Sequence, residues 1–73
     1  MRNWNFIYNI NSDYDIDVDE IDIMNWADSV ANEHDLDPEI DEPRIVVMVG
    51  GNNRLVAYVD DWARQRHYYP RAI

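Results

Sequence analysis

Trp4, Phe6, Tyr8 and Ile10 alternate with Asn5 and Asn9, following Asn3, near the start of the chain. A period of two predicts a strand with one buried face. Tyr14, Ile16 and Val18 then alternate with Asp13, Asp15, Asp17 and Asp19, so a short second strand can follow a turn near Asn11 to Asp13. Asp17 and Glu20 have the spacing of a capping box, in which the first carboxylate accepts an orphan helix N–H and the second reaches back. A helix of about four to five turns is expected from near Val18. Ile23, Met24, Ala27, Val30, Ala31 and His34 would share one side of it, with Asp19, Asp22, Asp28 and Glu33 mostly elsewhere on the wheel.

Asp37-Pro38 and Glu42-Pro43 bracket a linker, because each proline pushes the residue before it into extended geometry. Leu36 and Ile40 are expected to tether this linker to the core. Arg44 to Val49 and Leu55 to Val59 are runs rich in β-branched residues on either side of Gly50-Gly51-Asn52-Asn53-Arg54, a strong antiparallel hairpin signal. Asp60 or Asp61 would then cap a short helix carrying Trp62, Ala63 and Arg66, which Pro70 would stop from continuing through Tyr69. The expected fold is one α+β domain over residues 1–73. Its antiparallel sheet has three strands, or four if the second forms, with one long amphipathic helix packed on it and a short C-terminal helix, in the order β-(β)-α-β-β-α.

Length limits what such a chain can bury. A domain of 73 residues hides only about 60% of its unfolded surface, so stability is modest. The absence of cysteine removes disulfides, thiolate metal sites and a thiol nucleophile. Ile45 to Val49 is the longest apolar run and is too short for a bilayer; the amino terminus has the pattern of a polar aromatic strand and not of a signal peptide. A cytoplasmic protein is expected, inside an infected host cell if the source is a phage.

Charge alters the picture most. The chain carries a net −9, and residues 13–42 hold thirteen of its fifteen carboxylates with no lysine or arginine among them. Arg44, Arg54, Arg64, Arg66 and Arg71 all come later, and lysine is absent. Such a body repels nucleic acid and anionic membrane and speeds association with basic proteins.

Candidate chemistry is sparse. Asp13, Asp15 and Asp17 open like a calcium loop, but its sixth position holds Val18 where glycine is needed and its twelfth holds Met24 where a bidentate Glu is needed. Glu33, His34 and Asp35 do not supply a zinc site, and His67 has no nucleophile to serve, the two serines Ser12 and Ser29 lying outside any catalytic motif. Gly50-Gly51 reads as a turn, since no helix or lysine follows to hold a phosphate. No catalytic residue, metal or cofactor is implied, and the chain is not expected to be an enzyme. Arg64, Arg66, His67, Tyr68, Tyr69 and Arg71 form a basic, aromatic tail, expected to salt-bridge the acidic body or a second copy. Trp26 falls on the flank of the helix near Asp19 and Asp22, where it would serve as an interface anchor or pack at the core margin.

Carboxylates on alternate residues of an extended segment lie about 6.6 to 6.8 Å apart on one side. They form a ladder of negative charge with a step close to that of a nucleic-acid backbone, suited to arginine–carboxylate pairs. The candidate partner-binding residues are Asp13, Asp15, Asp17, Asp19, Asp22, Trp26, Glu33, Asp35, Asp37, Glu39, Asp41 and Glu42.

In size, lack of cysteine, acidity and the succession of strand, acidic helix and hairpin at Arg44 to Val59, the chain resembles the small inhibitors that bacteriophages and mobile elements encode against host defences, notably anti-CRISPR proteins. Uracil-DNA glycosylase inhibitors and phage inhibitors of RNA polymerase are similar in the same way. The resemblance implies a stoichiometric inhibitor that covers the nucleic-acid-binding surface of a host protein or ribonucleoprotein, without itself binding nucleic acid or membrane. The alternative is an acidic oligomeric adaptor or antitoxin-like module, whose homodimer interface would be the second face of the hairpin at Val46, Met48, Val56 and Tyr58.

Overall fold

A computed structural model describes residues 4–11, 17–37 and 39–73, apart from the side chain of Tyr69. Strand β1 spans Asn5–Asn9, helix α1 Glu20–Glu33, β2 Arg44–Val49, β3 Leu55–Asp61 and β4 Arg66–Ala72. The strands form one sheet in the order β1-β2-β3-β4. The α+β class follows directly. Tyr14 to Ile16 lie outside the described residues, and with them most of the expected second strand.

The period-two pattern of β1 puts Phe6 and Ile10 against the core, beside the buried Trp4, whose indole N–H donates to Asp28 Oδ1 at 2.9 Å. The strand pairs parallel with β2, Phe6 opposite Ile45 and Tyr8 opposite Val47. The sheet is therefore mixed and not antiparallel as expected. A helix joining two neighbouring strands carries the chain back to the end where the first began, which makes them parallel.

Helix α1 begins two residues later than the Asp17/Glu20 capping box implied: Asp19 is the N-cap, and its carboxylate accepts the Asp22 N–H at 3.2 Å. Glu20 is not available for the reciprocal bond, because its carboxylate accepts the hydroxyl of Tyr8. Ile23, Ala27 and Ala31 are buried, with Met24, Trp26 and Val30 packed at the core margin. Two alanines at the centre of the stripe let the helix lie close to the sheet. His34 was expected on this stripe but is exposed: it is the C-cap, its backbone N–H donates to the Val30 carbonyl, and its ring packs at a tilt against Tyr68 with centroids 4.3 Å apart. Leu36 tethers the linker, with only 6% of its surface exposed; Ile40 does not, with 79% exposed.

The β2–β3 hairpin forms antiparallel as expected, with Val49 opposite Leu55. Asn52 and Asn53 turn the chain with φ of 62° and 57°, while Gly50 lies where a Cβ would come within 3.1 Å of Val56. Ile45, Val47, Ala57 and Val59 face the helix and complete the core. Val46, Met48, Val56 and Tyr58 occupy alternate positions and belong to the opposite face, as does Ile7 across from Val46. Among the described residues no further element covers that face.

The expected C-terminal helix is instead strand β4. Strand β3 continues through Asp60 and Asp61, the turn Trp62 to Gln65 reverses the chain with Gln65 at φ 55°, and Arg66, His67 and Tyr68 pair with Asp61, Asp60 and Val59. Asp60 serves the ladder by binding Arg44 at 2.8 Å, which removes it as a helix cap. Pro70 is accommodated because β4 is an edge strand with a register shift opposite Ala57 to Val59.

Candidate functional site

The acidic residues divide by what each carboxylate touches. Asp19 caps the helix, Glu20 accepts from Tyr8, and Asp28 accepts from Trp4. Asp22, exposed in the first helical turn, pairs with Arg71 at 2.7 Å. Asp37 organises the turn after the helix: its Oδ1 accepts the Glu39 N–H at 2.9 Å, while its own N–H donates to Asp41 Oδ2 at 2.9 Å. Asp41, half-buried, also lies 3.2 Å from Arg64, whose guanidinium reaches the fully buried Asp61 at the same distance. The N–H of Asp37, together with Arg64, holds the Asp41 carboxyl below the usual carboxylate range. Arg64 is raised in turn, first by its bond to Asp61 and then by Asp41.

These contacts give three of the five described arginines a partner. Arg44 holds Asp60, Arg64 holds Asp41 and Asp61, and Arg71 holds Asp22, so the basic tail salt-bridges the acidic body as its composition suggested. His67 adds a 3.2 Å contact to Asp60 on the far face of the sheet.

Asp17, Glu33, Asp35, Glu39 and Glu42 remain. All five are exposed, and among the described residues none forms an ion pair or a side-chain hydrogen bond. Four of them follow one another from the last turn of α1 through the linker. No protein-family model matches the sequence, and neither the curated proteins nor the solved structures yield a match. The function therefore has to be read from the surface itself.

Helix electrostatics separates the two groups of acids. Carboxylates near a helix N-terminus are favourable, and this accounts for Asp19, Glu20 and Asp22. At the C-terminus they oppose the dipole; Glu33 sits in a last turn that contains no basic residue, and Asp35 follows with φ 55°. Glu42 also lies in the left-handed region, with φ 47°. Asp35, Asp37 and Glu39 line an open concavity of about 370 Å³ beside Leu36. Negative charge is thus concentrated where the fold gains least from it.

Of the residues singled out by sequence, Asp13 and Asp15 lie outside the described residues. Asp19, Asp22, Asp37 and Asp41 have structural partners, whereas Asp17, Glu33, Asp35, Glu39 and Glu42 do not. Trp26 packs at the core margin, the second of its two expected places. It is half-buried against the core and also lines a groove with Glu33, His34 and Tyr68. Tyr68 was placed with the tail by sequence; its nearness to the helix depends on β4 pairing with β3, which the helical reading of that segment concealed. No helix among the described residues is long and apolar enough to cross a membrane.

Proposed function

We propose that this protein is a stoichiometric inhibitor, anti-CRISPR-like in mode, that covers a basic nucleic-acid-binding surface of a host defence complex as a partial nucleic-acid mimic. The supporting observation is the run of exposed carboxylates at Glu33, Asp35, Glu39 and Glu42, without ion-pair partners among the described residues; the first two sit at the C-terminal end of α1, where negative charge opposes the helix dipole. Carboxylates already bound to arginine have little to offer a partner. These four remain available for bidentate pairing with arginine, and their long-range field steers a basic surface toward them.

The test is capture of host proteins on the tagged chain at low and high salt, with DNA or RNA as competitor, beside a variant carrying Glu33→Lys, Asp35→Lys, Glu39→Lys and Glu42→Lys. The expected result is salt-sensitive recovery of a nucleic-acid-handling complex that nucleic acid displaces and the variant fails to recover. Equal recovery by the variant would overturn the reading. These four positions are chosen because Asp19 and Asp22 support the helix, so reversing them would confuse folding with binding.

The open sheet face supports the second reading, an oligomeric adaptor. Ile7, 37% exposed, and the half-buried Met48, Val56 and Tyr58 lie on the side away from α1. A concentration-dependent dimer that Ile7→Glu, at an exposed position of that face, dissociates would favour it over inhibition.

A further inference from the structure

Between the second half of α1 and strand β4 runs a groove of about 300 Å³. Trp26, Val30, Glu33 and His34 form the helix wall, brought to one stripe by steps of three and four residues. Tyr68 and Arg71 stand on the strand wall, and the Tyr68 ring packs tilted against His34, centroids 4.3 Å and planes 36° apart. The groove thus combines three aromatic rings with a carboxylate. Among the described lining residues the arginine, Arg71, is neutralised by Asp22 at 2.7 Å, while Glu33 has no ion-pair partner among the described residues.

Aromatic rings present negative faces to a cation, and a nearby unpaired carboxylate adds a charge-assisted acceptor. The volume lies at the lower end of ligand sites, which suits one side chain better than a larger molecule. Resting on the reading that the partner surface is basic, we propose that this groove seats a single arginine side chain of that partner. Arginine fits better than lysine because its guanidinium is planar and weakly hydrated, stacks on aromatic rings, and can fork onto the Glu33 carboxylate. Glu33 joins the groove to the acidic run at Asp35, Glu39 and Glu42, so the seated residue would lie at the margin of the contact surface and fix its register.

The experiment is a nuclear magnetic resonance titration of the isotopically labelled full chain with an acetylated, amidated Gly-Arg-Gly peptide. The same peptide with citrulline, a neutral isostere of arginine, is the control. Saturable shifts of the Trp26 indole N–H and of the His34 and Tyr68 rings are expected with arginine, and binding about tenfold weaker with citrulline. Glu33→Gln should weaken the arginine peptide severalfold with the rest of the spectrum unchanged, which avoids relying on a Trp26 variant that disturbs packing. Equal binding of both peptides would overturn the proposal, as would shifts confined to Asp35, Glu39 and Glu42 or the absence of any shift at Trp26. Because no partner is needed, the two readings fail separately. Loss of the groove effect with charge-dependent capture intact removes the arginine seat alone, whereas arginine seating without charge-dependent capture removes the inhibitor reading.

Discussion

Arg71 Nη2 lies 2.7 Å from Asp22 Oδ2, joining the last strand to the first turn of the helix across 49 positions of sequence. Both side chains are substantially exposed, so the bond is expected to contribute about 0–1 kcal/mol. Its larger effect is to set the strand wall of the aromatic groove against the helix and to remove a positive charge from it. Asp22→Asn should lower stability by no more than about 1 kcal/mol, with the difference shrinking in about 1 M salt. Urea denaturation at low and high salt checks this.

The two ends of α1 should respond in opposite directions. Asp19→Ala removes the N-cap and is expected to cost about 0.5–2 kcal/mol. Glu33→Gln and Asp35→Asn relieve an unfavourable interaction with the helix dipole and should each stabilise by about 0.3–1 kcal/mol. Thermal denaturation of the three variants measures both signs; destabilisation by all three would show that the acids after the helix support the fold after all.

Much of this arrangement is legible in the sequence, and the failures share a cause. The alternation at Trp4 to Ile10, the apolar spacing of α1 and the Gly-Gly-Asn-Asn turn are local patterns, and each gave its element. Whether β1 runs parallel to β2 depends on where the helix returns the chain, which no single window contains. The segment after Asp60 was misread because a capping aspartate and a strand aspartate look alike until Arg44 and His67 are brought beside it. The acidic run was visible as charge. Its division into carboxylates that support the fold and carboxylates that do not required the arginines to be located.

Alkaline pH should report on the link between β1 and α1. Burial, reinforced by the hydrogen bond to Glu20 and by its charge, pushes the Tyr8 hydroxyl up to about 12 from an ordinary value of 10.0. A group raised in the folded state contributes fully below its unfolded value and loses that contribution as pH climbs through the folded one. Stability should therefore fall as pH rises from 10.0 toward about 12, and Tyr8→Phe should reduce that slope. Tyrosinate absorbance of the parent minus the variant would locate the ionisation; a midpoint near 10.0 would contradict the bond.

Acid acts on the linker through Asp41, whose carboxyl is held below its ordinary value of 3.8 chiefly by the Asp37 N–H and also by Arg64. Its contribution is complete above 3.8 and is lost as pH falls through the lower folded value. Asp41→Asn should consequently differ most from the parent at neutral pH and least in strong acid. Chemical denaturation across that range tests the order.

Core and linker substitutions should separate sharply. Ile45, fully buried between the sheet and α1, should cost about 2–5 kcal/mol when changed to alanine. That is a large share of the roughly 4–11 kcal/mol expected for a domain of this length. Ile40→Ser, at a position 79% exposed, should stay within about 0.5 kcal/mol of the parent by the same urea measurement.

The proline in β4 gives the two margins of the sheet different futures. Pro70 lacks the N–H that an incoming strand would use, and the register shift beside it breaks the even spacing of a template. The margin at β1, Asn5 to Asn9, contains no such interruption. Extension of the sheet by added strands is consequently polar. Two copies meeting through their β1 margins would leave a proline-broken strand at each outer end, so growth by that route halts at a closed pair and does not propagate into a fibre.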